Sequence, residues 1–188
     1  MLQIKNITKK MEDFQLINDL YLSAFPRRER EPLSLLLYRA KKGSSKFEAY
    51  YDDGVFVGFS SVLTRGDLSY IQYLAVVSTE RSKGYGGQIL LHIKEAHQQK
   101  RIFLNMEAED ETAKNAKQRQ KRRSFYYKND YVTTGLNAEI AKTKFELMII
   151  NGTCTAEEVR LFFRKYFGPL TSTFILRIKV WEVAVNEC

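Results

Sequence analysis

The hydrophobic pattern of the chain opens with one strand-like and two helix-like stretches. Residues 2–7, "LQIKNI", alternate as a strand does, and apolar residues from Met11 recur at about the helical period. A second helix is predicted between Pro32, which suits a first helical turn, and Gly43, which suits a C-cap. The stretch "FPRRERE" joins these two helices.

Three antiparallel strands are predicted next, in "FEAYY", "VFVGFSSVL" and "LSYIQYLAVV". The first two flank a turn with Asp53 and Gly54, a residue pair typical of tight hairpins. Apolar positions then predict a helix from Gly86 to about Lys100, and "RIFLNME" is typical of a buried strand.

The remaining pattern predicts a charged loop and helix, two strands and a C-terminal helix. The charged span runs from Ala108 to Arg123, and "YVTTGLNAEI" and "KTKFELMII" follow as strands. Thr155 and Glu158 form a capping-box pattern at the start of the last helix, which Gly168 ends. The tail "STFILRIKVWEVAV" is strand-like and could join its own sheet or that of another chain.

This order of elements predicts the α/β class. We expect one domain over residues 1–188, with a mixed, mostly antiparallel sheet, helices on both faces and one parallel crossover around the glycine-rich loop. A hydrophobic content of 44% and an aromatic content of 13% are typical of a globular chain.

Composition narrows the function classes. No signal-peptide pattern or membrane-length apolar run occurs, so a cytoplasmic protein is expected. Cys154 and Cys188 form no metal-binding or disulfide pattern, and no metal is expected. The net charge of +8 favours an anionic partner, and both a nucleotide-bearing cofactor and a nucleic acid fit that description.

The stretch "AVVSTERSKGYGG", residues 75–87, lies between a predicted strand and a predicted helix. Backbone N–H groups and the positive end of the helix could bind an anion there, with Arg81 and Lys83 at the rim. The spacing matches neither a P-loop nor the GxGxxG fingerprint. From spacing alone, an anion site and a plain strand-to-helix turn remain equally open.

Two motifs resemble those of the GNAT superfamily of N-acetyltransferases. "LAVVSTERSKGYGG" is similar to its acetyl-CoA signature, with Arg81, Gly84 and Gly86 at the key positions. "FYYKNDYVTTG" is similar to its second hallmark, in which Tyr126 matches and Asp130 stands where glycine is usual. The resemblance covers about residues 2–150 and leaves 151–188 as an extension.

The resemblance implies acetyl-CoA as the cofactor. The main chain of Leu74, Ala75 and Val76 would hydrogen-bond to pantetheine, and the following loop would bind pyrophosphate. The residues of that loop are Arg81, Ser82, Lys83, Gly84, Tyr85, Gly86 and Gly87.

The resemblance also implies direct attack of an amine on the thioester. Tyr126 would lie near the cofactor sulfur and act as the general acid, and a backbone N–H near Val76 would hold the oxyanion. Glu107 and Glu29 are the candidate general bases, although for each residue a solvated surface carboxylate is the favoured interpretation. The acceptor would be an amine of a small molecule, peptide or protein, and a homodimer is possible.

Some positions depart from the family pattern. Arg119 and Arg122 stand where asparagine and alanine are frequent, and with Arg123 they share one helical face. That face could reach a cofactor phosphate, an acidic acceptor or nucleic acid, or could simply be solvated. His92 and His97 are expected at the surface. A non-catalytic acyl-CoA-binding module and, less favoured, a nucleic-acid-associated protein remain as alternatives.

Overall fold

The computed structural model describes residues 2–140, 142–168 and 178–183. These residues form eight β-strands and five α-helices, which confirms the predicted α/β class. The chain divides into two compact units, Met1–Gln98 and Gln99–Cys188, and the single domain stays a prediction. Among the helices of the described ranges, none is both long and apolar enough to cross a bilayer.

The first unit carries four strands in the order β1-β2-β3-β4, and each neighbouring pair is antiparallel. The β2–β3 hairpin turns through Asp53 and Gly54, both with positive φ, as predicted for a tight turn. The elements are β1 Gln3–Asn6, α1 Phe14–Ala24, α2 Leu33–Lys41, β2 Ser45–Asp52, β3 Val55–Arg65, β4 Leu68–Val76 and α3 Tyr85–Ala96.

Helices cover both faces of this first sheet. Along β2, Phe47, Ala49 and Tyr51 belong to the hydrophobic core that includes α1 and α2. The alternate residue Glu48 bonds instead to His92 of α3, at 3.1 Å between Oε2 and Nε2. Because successive side chains of a strand point to opposite faces, α3 lies on the face opposite α1 and α2.

The predicted surface position of His97 is wrong. His97 is 6% exposed, and its Nδ1 lies 3.2 Å from the hydroxyl oxygens of both Thr64 and Ser69. Helix α3 ends at Ala96 rather than near Lys100, so His97 is the C-cap residue and no longer part of the helix. From there its imidazole meets the two hydroxyls of the β3–β4 hairpin. Buried hydroxyl groups need partners, which accounts for the inward position.

His92 also differs from a freely solvated histidine, because it is half-buried against Glu48. Burial acts to raise the pKa of Glu48, but the hydrogen bond and charge of His92 outweigh it and lower that pKa. The pair therefore fastens α3 to β2.

The second unit carries four strands in the order β5-β7-β6-β8, with antiparallel pairs. Strand β8 pairs with β6 of the same chain, so the described part of the tail joins its own sheet. Residues 172–177 and 184–185 of the predicted tail strand lie outside the described residues. The elements are β5 Arg101–Glu107, α4 Ala116–Tyr127, β6 Val132–Ile140, β7 Thr143–Ile150, α5 Ala156–Phe167 and β8 Lys179–Glu182.

Helix α5 begins with the predicted capping box between Thr155 and Glu158. The Glu158 carboxylate also pairs with Arg101 of β5, at 2.7 Å between Oε1 and the guanidinium. Phe103 of β5 packs edge-on against Phe163. The hydrogen bond from Arg101, with that of the Thr155 amide, lowers the pKa of Glu158 to about 2.

This lowered pKa predicts a pH-dependent contribution to stability. A carboxylate with a depressed folded-state pKa stabilises the fold above its usual value of 4.5 and loses that contribution as pH falls toward about 2. At pH 7, Glu158→Gln should lower the free energy of unfolding by about 1 kcal/mol or less, because water screens a side chain that is 37% exposed.

Urea unfolding at about pH 7 and about pH 3 measures this contribution. The loss caused by Glu158→Gln should shrink at the lower pH. Glu157→Gln is the matched control, since it lies in the same first turn without the Arg101 contact and should show a smaller effect. Equal losses at both pH values would contradict the assignment.

Candidate active site

The glycine-rich loop follows β4 in the first unit. The Val77 amide donates to the Val57 carbonyl of β3 at 2.9 Å, and Ser78–Glu80 form one turn of 3₁₀ helix. The backbone then passes through positive φ at Ser82 and at Gly84, with values of 64° and 88°. This path turns the chain from the strand into α3.

Helix α3 begins without a side-chain cap, because Gly84 occupies its N-cap position. The first-turn amides of Tyr85, Gly86 and Gly87 point along the helix axis away from its hydrogen-bond ladder. The partial positive charge of a helix N-terminus lies at the same place. These exposed or half-buried residues therefore form a backbone site suited to an anion.

The side chains of the loop brace its backbone. Arg81 Nε donates to the Val76 carbonyl at 3.3 Å, and Lys83 pairs with Glu80 at 2.9 Å. The Tyr85 hydroxyl donates to Asp52 in the β2–β3 turn at 2.7 Å, and this hydrogen bond raises the pKa of Tyr85 to about 12. Side chains thus hold the loop, and backbone amides are left to meet a ligand.

Strand β4 is approached closely by β3 at Gly58. A methyl group at Gly58 would lie 2.4 Å from the Ala75 carbonyl oxygen, far inside van der Waals contact. Gly58 pairs in register with Val76. Any side chain at Gly58 would therefore displace the main chain of Ala75 and Val76, which belong to the segment Leu74–Val76 for which the family resemblance implies a pantetheine contact.

The turn between α1 and α2 is attached to β4. The Tyr73 hydroxyl donates to the Glu29 carbonyl at 2.8 Å and accepts from the Glu31 amide at 3.1 Å. The Tyr21 hydroxyl donates to the Glu31 carbonyl at 2.9 Å. Two tyrosines therefore hold the main chain of residues 29–31 next to the segment that begins at Leu74.

A nearly buried ion pair completes this attachment. The Glu31 carboxylate pairs with Arg39 of α2, and both side chains are 13% exposed. Gln72 Nε2 donates to the same carboxylate at 2.8 Å. Sequence patterns did not identify Glu31, Gln72, Tyr73 or Tyr21 as site residues. The charged stretch "FPRRERE" was the only local signal.

Tyr126 lies near the end of α4 in the second unit. Its ring contacts Phe125 and Tyr131, with centroids 5.2 and 5.9 Å away. Burial raises the pKa of Tyr126, against a smaller lowering by the charge of Arg122. Within the described ranges, the buried Tyr131 hydroxyl has no hydrogen-bond partner. Asp130 has a φ of 65°, the conformation that the expected glycine would supply.

The arginines of α4 pair with carboxylates rather than forming one freely solvated face. Arg122 contacts Glu107 at 3.0 Å and Arg119 contacts it at 3.5 Å, while Asn115 Nδ2 donates to it at 3.2 Å. Arg123 contacts Glu146 and Glu109 at 3.1 and 3.0 Å. Both oxygens of the candidate base Glu107 are therefore occupied by donors.

The other candidate base, Glu29, belongs to the attached turn of the first unit. Its carboxylate lies 3.7 Å from Arg28 Nε and is 21% exposed. Its main chain is held by Tyr73, two residues before the Ala75 position in β4. The structure thus places the loop residues and Glu29 in the first unit, and Tyr126 and Glu107 in the second.

Comparisons with known proteins agree with this fold. Residues 43–133 match the family model described as an acetyltransferase (GNAT) domain. A search of curated protein sequences finds no match.

Several solved structures are similar in fold. A putative GNAT-family acetyltransferase from Bacteroides thetaiotaomicron has a TM-score of 0.67 at 19% identity and covers 94% of this chain and 99% of its own. An aminoglycoside 6'-N-acetyltransferase in complex with coenzyme A has a TM-score of 0.63 at 14% identity, and the match covers 79% of this chain and 96% of its own. A GNAT-family acetyltransferase from Elizabethkingia anophelis with acetyl-CoA bound has a TM-score of 0.59 at 15% identity, and the match covers 80% of this chain and 98% of its own.

Proposed function

We propose that this chain is a member of the GNAT superfamily, whose acetyltransferase domain model residues 43–133 match, and that it transfers an acetyl group from acetyl-CoA to a primary amine by direct attack. The chain is thus an N-acetyltransferase of the EC 2.3.1 class. The observation that carries the proposal is the amide-lined N-terminus of α3, which is open to an anion and preceded by glycine at a left-handed position.

The residues present fit acetyl-CoA. The amides of Tyr85, Gly86 and Gly87 and the helix dipole suit a pyrophosphate without a lysine side chain. Gly58 leaves the main chain of Leu74–Val76 undisturbed for pantetheine. Arg81 and Lys83, both exposed, add positive charge beside the loop.

The chemistry requires one acid and one base. Bound acetyl-CoA supplies the acetyl group as a thioester, whose C–S bond breaks as the C–N bond to the amine forms. Tyr126 is the proposed acid that gives a proton to the departing sulfur, and its raised pKa keeps the hydroxyl protonated at neutral pH. A backbone N–H near Val76 is the proposed oxyanion donor.

Glu29 is the better-supported base. The amine must lose one proton, directly or through water, to a carboxylate that can accept it. Glu107 holds two arginines and Asn115, so protonating it would disrupt several charge-assisted hydrogen bonds. The attached turn holds the main chain of Glu29 beside β4, the strand that contains the proposed pantetheine segment, and the Glu29 side chain is 21% exposed.

We also place the reaction in the cytoplasm, where Cys154 would remain a free, buried thiol. A nucleic-acid partner is less supported, because the α4 arginines pair with carboxylates of their own chain. Cell fractionation tests the location, and sedimentation of the purified chain tests a homodimer.

Gly84→Ala tests the anion site against Gly43→Ala. Both glycines have positive φ, 88° and 71°, and neither has an atom within 4 Å of an added methyl group. Each substitution should cost about 1 kcal/mol of stability through backbone strain. Only Gly84→Ala should also weaken acetyl-CoA binding, by about tenfold or more, because the α3 amides must move.

Isothermal titration of each variant with acetyl-CoA measures this difference. Equal affinity in the two glycine variants would remove the pyrophosphate role from α3. Absence of binding to the unmodified protein would overturn the proposed function itself.

Tyr126→Phe should lower kcat by at least about 100-fold, because the departing thiolate loses its proton donor. The Kd for acetyl-CoA should change by less than about twofold, because the phenyl ring is retained. Tyr127→Phe is the control, since it removes a neighbouring hydroxyl from a residue that is 42% exposed. Release of the free CoA thiol reports turnover. An unchanged kcat in Tyr126→Phe would exclude the acid role.

The two candidate bases are separated by Glu29→Gln and Glu107→Gln. Glu29→Gln should reduce kcat/KM by about 100-fold or more while the acetyl-CoA Kd is retained. Glu107→Gln should act mainly on stability, because it leaves Arg119 and Arg122 without their carboxylate. Thermal melts and steady-state rates distinguish these effects, and the opposite ranking would assign the base to Glu107.

A further inference from the structure

The turn between α1 and α2 presents three arginines. The Arg28 side chain is 62% exposed, and among the described residues its ion-pair partner is Glu29, at the long distance of 3.7 Å. Arg30 donates weakly to the Leu22 carbonyl at 3.5 Å. The Arg27 guanidinium has no partner within the described residues. Three guanidinium groups within four positions are therefore largely unneutralised.

Most other arginines in the described part of the chain are engaged. They donate to carboxylates or carbonyl oxygens of neighbouring elements, which satisfies the planar guanidinium fork. These residues are Arg39, Arg81, Arg101, Arg119, Arg122, Arg123 and Arg160. The three arginines of the arginine turn, Arg27–Arg30, thus lack the strong partners that these seven arginines have.

The arginine turn is also rigidly attached. The Tyr73 hydroxyl donates to the Glu29 carbonyl and accepts from the Glu31 amide, and the Glu31 carboxylate pairs with Arg39. A flexible surface loop would not need a nearly buried ion pair and two tyrosine hydroxyls to set its path. Rigid attachment lowers the entropy cost of binding a ligand through these side chains.

We infer that the arginine turn binds an anionic group of the acceptor, so that the acceptor is an amine that also carries a carboxylate or a phosphate. This rests on the proposed function, because Tyr73, which holds the Glu29 main chain, directly precedes the Leu74–Val76 main chain proposed for the cofactor. Arginine suits both anions, since its parallel N–H groups match two oxygens. Glu29, between Arg28 and Arg30, offers a carboxylate to the amine of the same molecule.

Matched amine pairs test the inference. The CoA-saturated protein is titrated calorimetrically with phosphoethanolamine against ethanolamine and with 3-aminopropanoate against propylamine, and the same amines are assayed for thiol release from acetyl-CoA. The anionic member of at least one pair should bind and react about 10- to 100-fold better. The pair that shows the preference distinguishes phosphate from carboxylate.

The double variant Arg27→Gln/Arg28→Gln should abolish this preference and leave the acetyl-CoA Kd within about twofold. Arg65→Gln, an exposed arginine at the end of β3, is the charge-matched control and should retain it. Arg28→Lys, which keeps the charge without the fork, should retain part of it.

Equal or better binding of the neutral amines, no binding of any anionic amine, or a preference that survives the double variant would each overturn the inference. Acetyl-CoA binding in the same preparation separates these outcomes from failure of the proposed function. If acetyl-CoA binds while the preference is absent, only the assignment of an anionic acceptor falls.

Discussion

The bulge in β4 at Gln72 is the constraint on which the first half of the candidate site depends. Ser61 pairs with Tyr73 and Val62 pairs with Ile71, so Gln72 is an extra residue in the ladder. In a regular strand, neighbouring side chains point to opposite faces. Here Gln72 and Tyr73 both reach the turn that contains Glu31.

This local irregularity connects two functions of one strand. In β4, Gln72 and Tyr73 hold the turn proposed for the acceptor, and the next residues, Leu74–Val76, present the main chain proposed for the cofactor. Gly58 protects that arrangement from the other side, since a side chain there would push the Ala75 carbonyl away. The position of the acceptor turn is therefore coupled to the strand that contacts the cofactor.

Nearly buried carboxylates explain why much of the basic surface is not available to partners. Glu31 and Glu107 are 13% and 19% exposed in their side chains, and each is paired with arginine. Glu48 is paired with His92. Burying a carboxylate without such a partner would cost roughly several kcal/mol of folding free energy. The cations paired with these carboxylates therefore stabilise the fold and are not free to bind a partner. The count of 30 Lys and Arg residues thus overstates the number of cations that can meet a ligand.

Local patterns predicted most of the fold and the glycine-rich loop. The hairpins, the capping box of α5 and the start of α3 depend on residues within a few positions of each other, which periodicity and turn chemistry reveal. The missed features depend on distant pairs. Glu31 and Gln72 are 41 positions apart, and Ser69 and His97 are 28 apart. No local pattern predicts which hydroxyl or carboxylate a buried side chain will meet.

The aromatic motif shows why conformation decides whether a substitution breaks a motif. Asp130 stands where glycine is usual, yet it adopts the same left-handed backbone, with a φ of 65°. Aspartate tolerates this region better than most residues. The following amide of Tyr131 donates to the Tyr126 carbonyl at 3.1 Å, so the chain closes α4 in the manner that a glycine would permit. The substitution therefore preserves the helix end that carries Tyr126. At Gly84 the same backbone region stands in a loop whose amides must face a ligand, and there a side chain would act on binding as well as on stability.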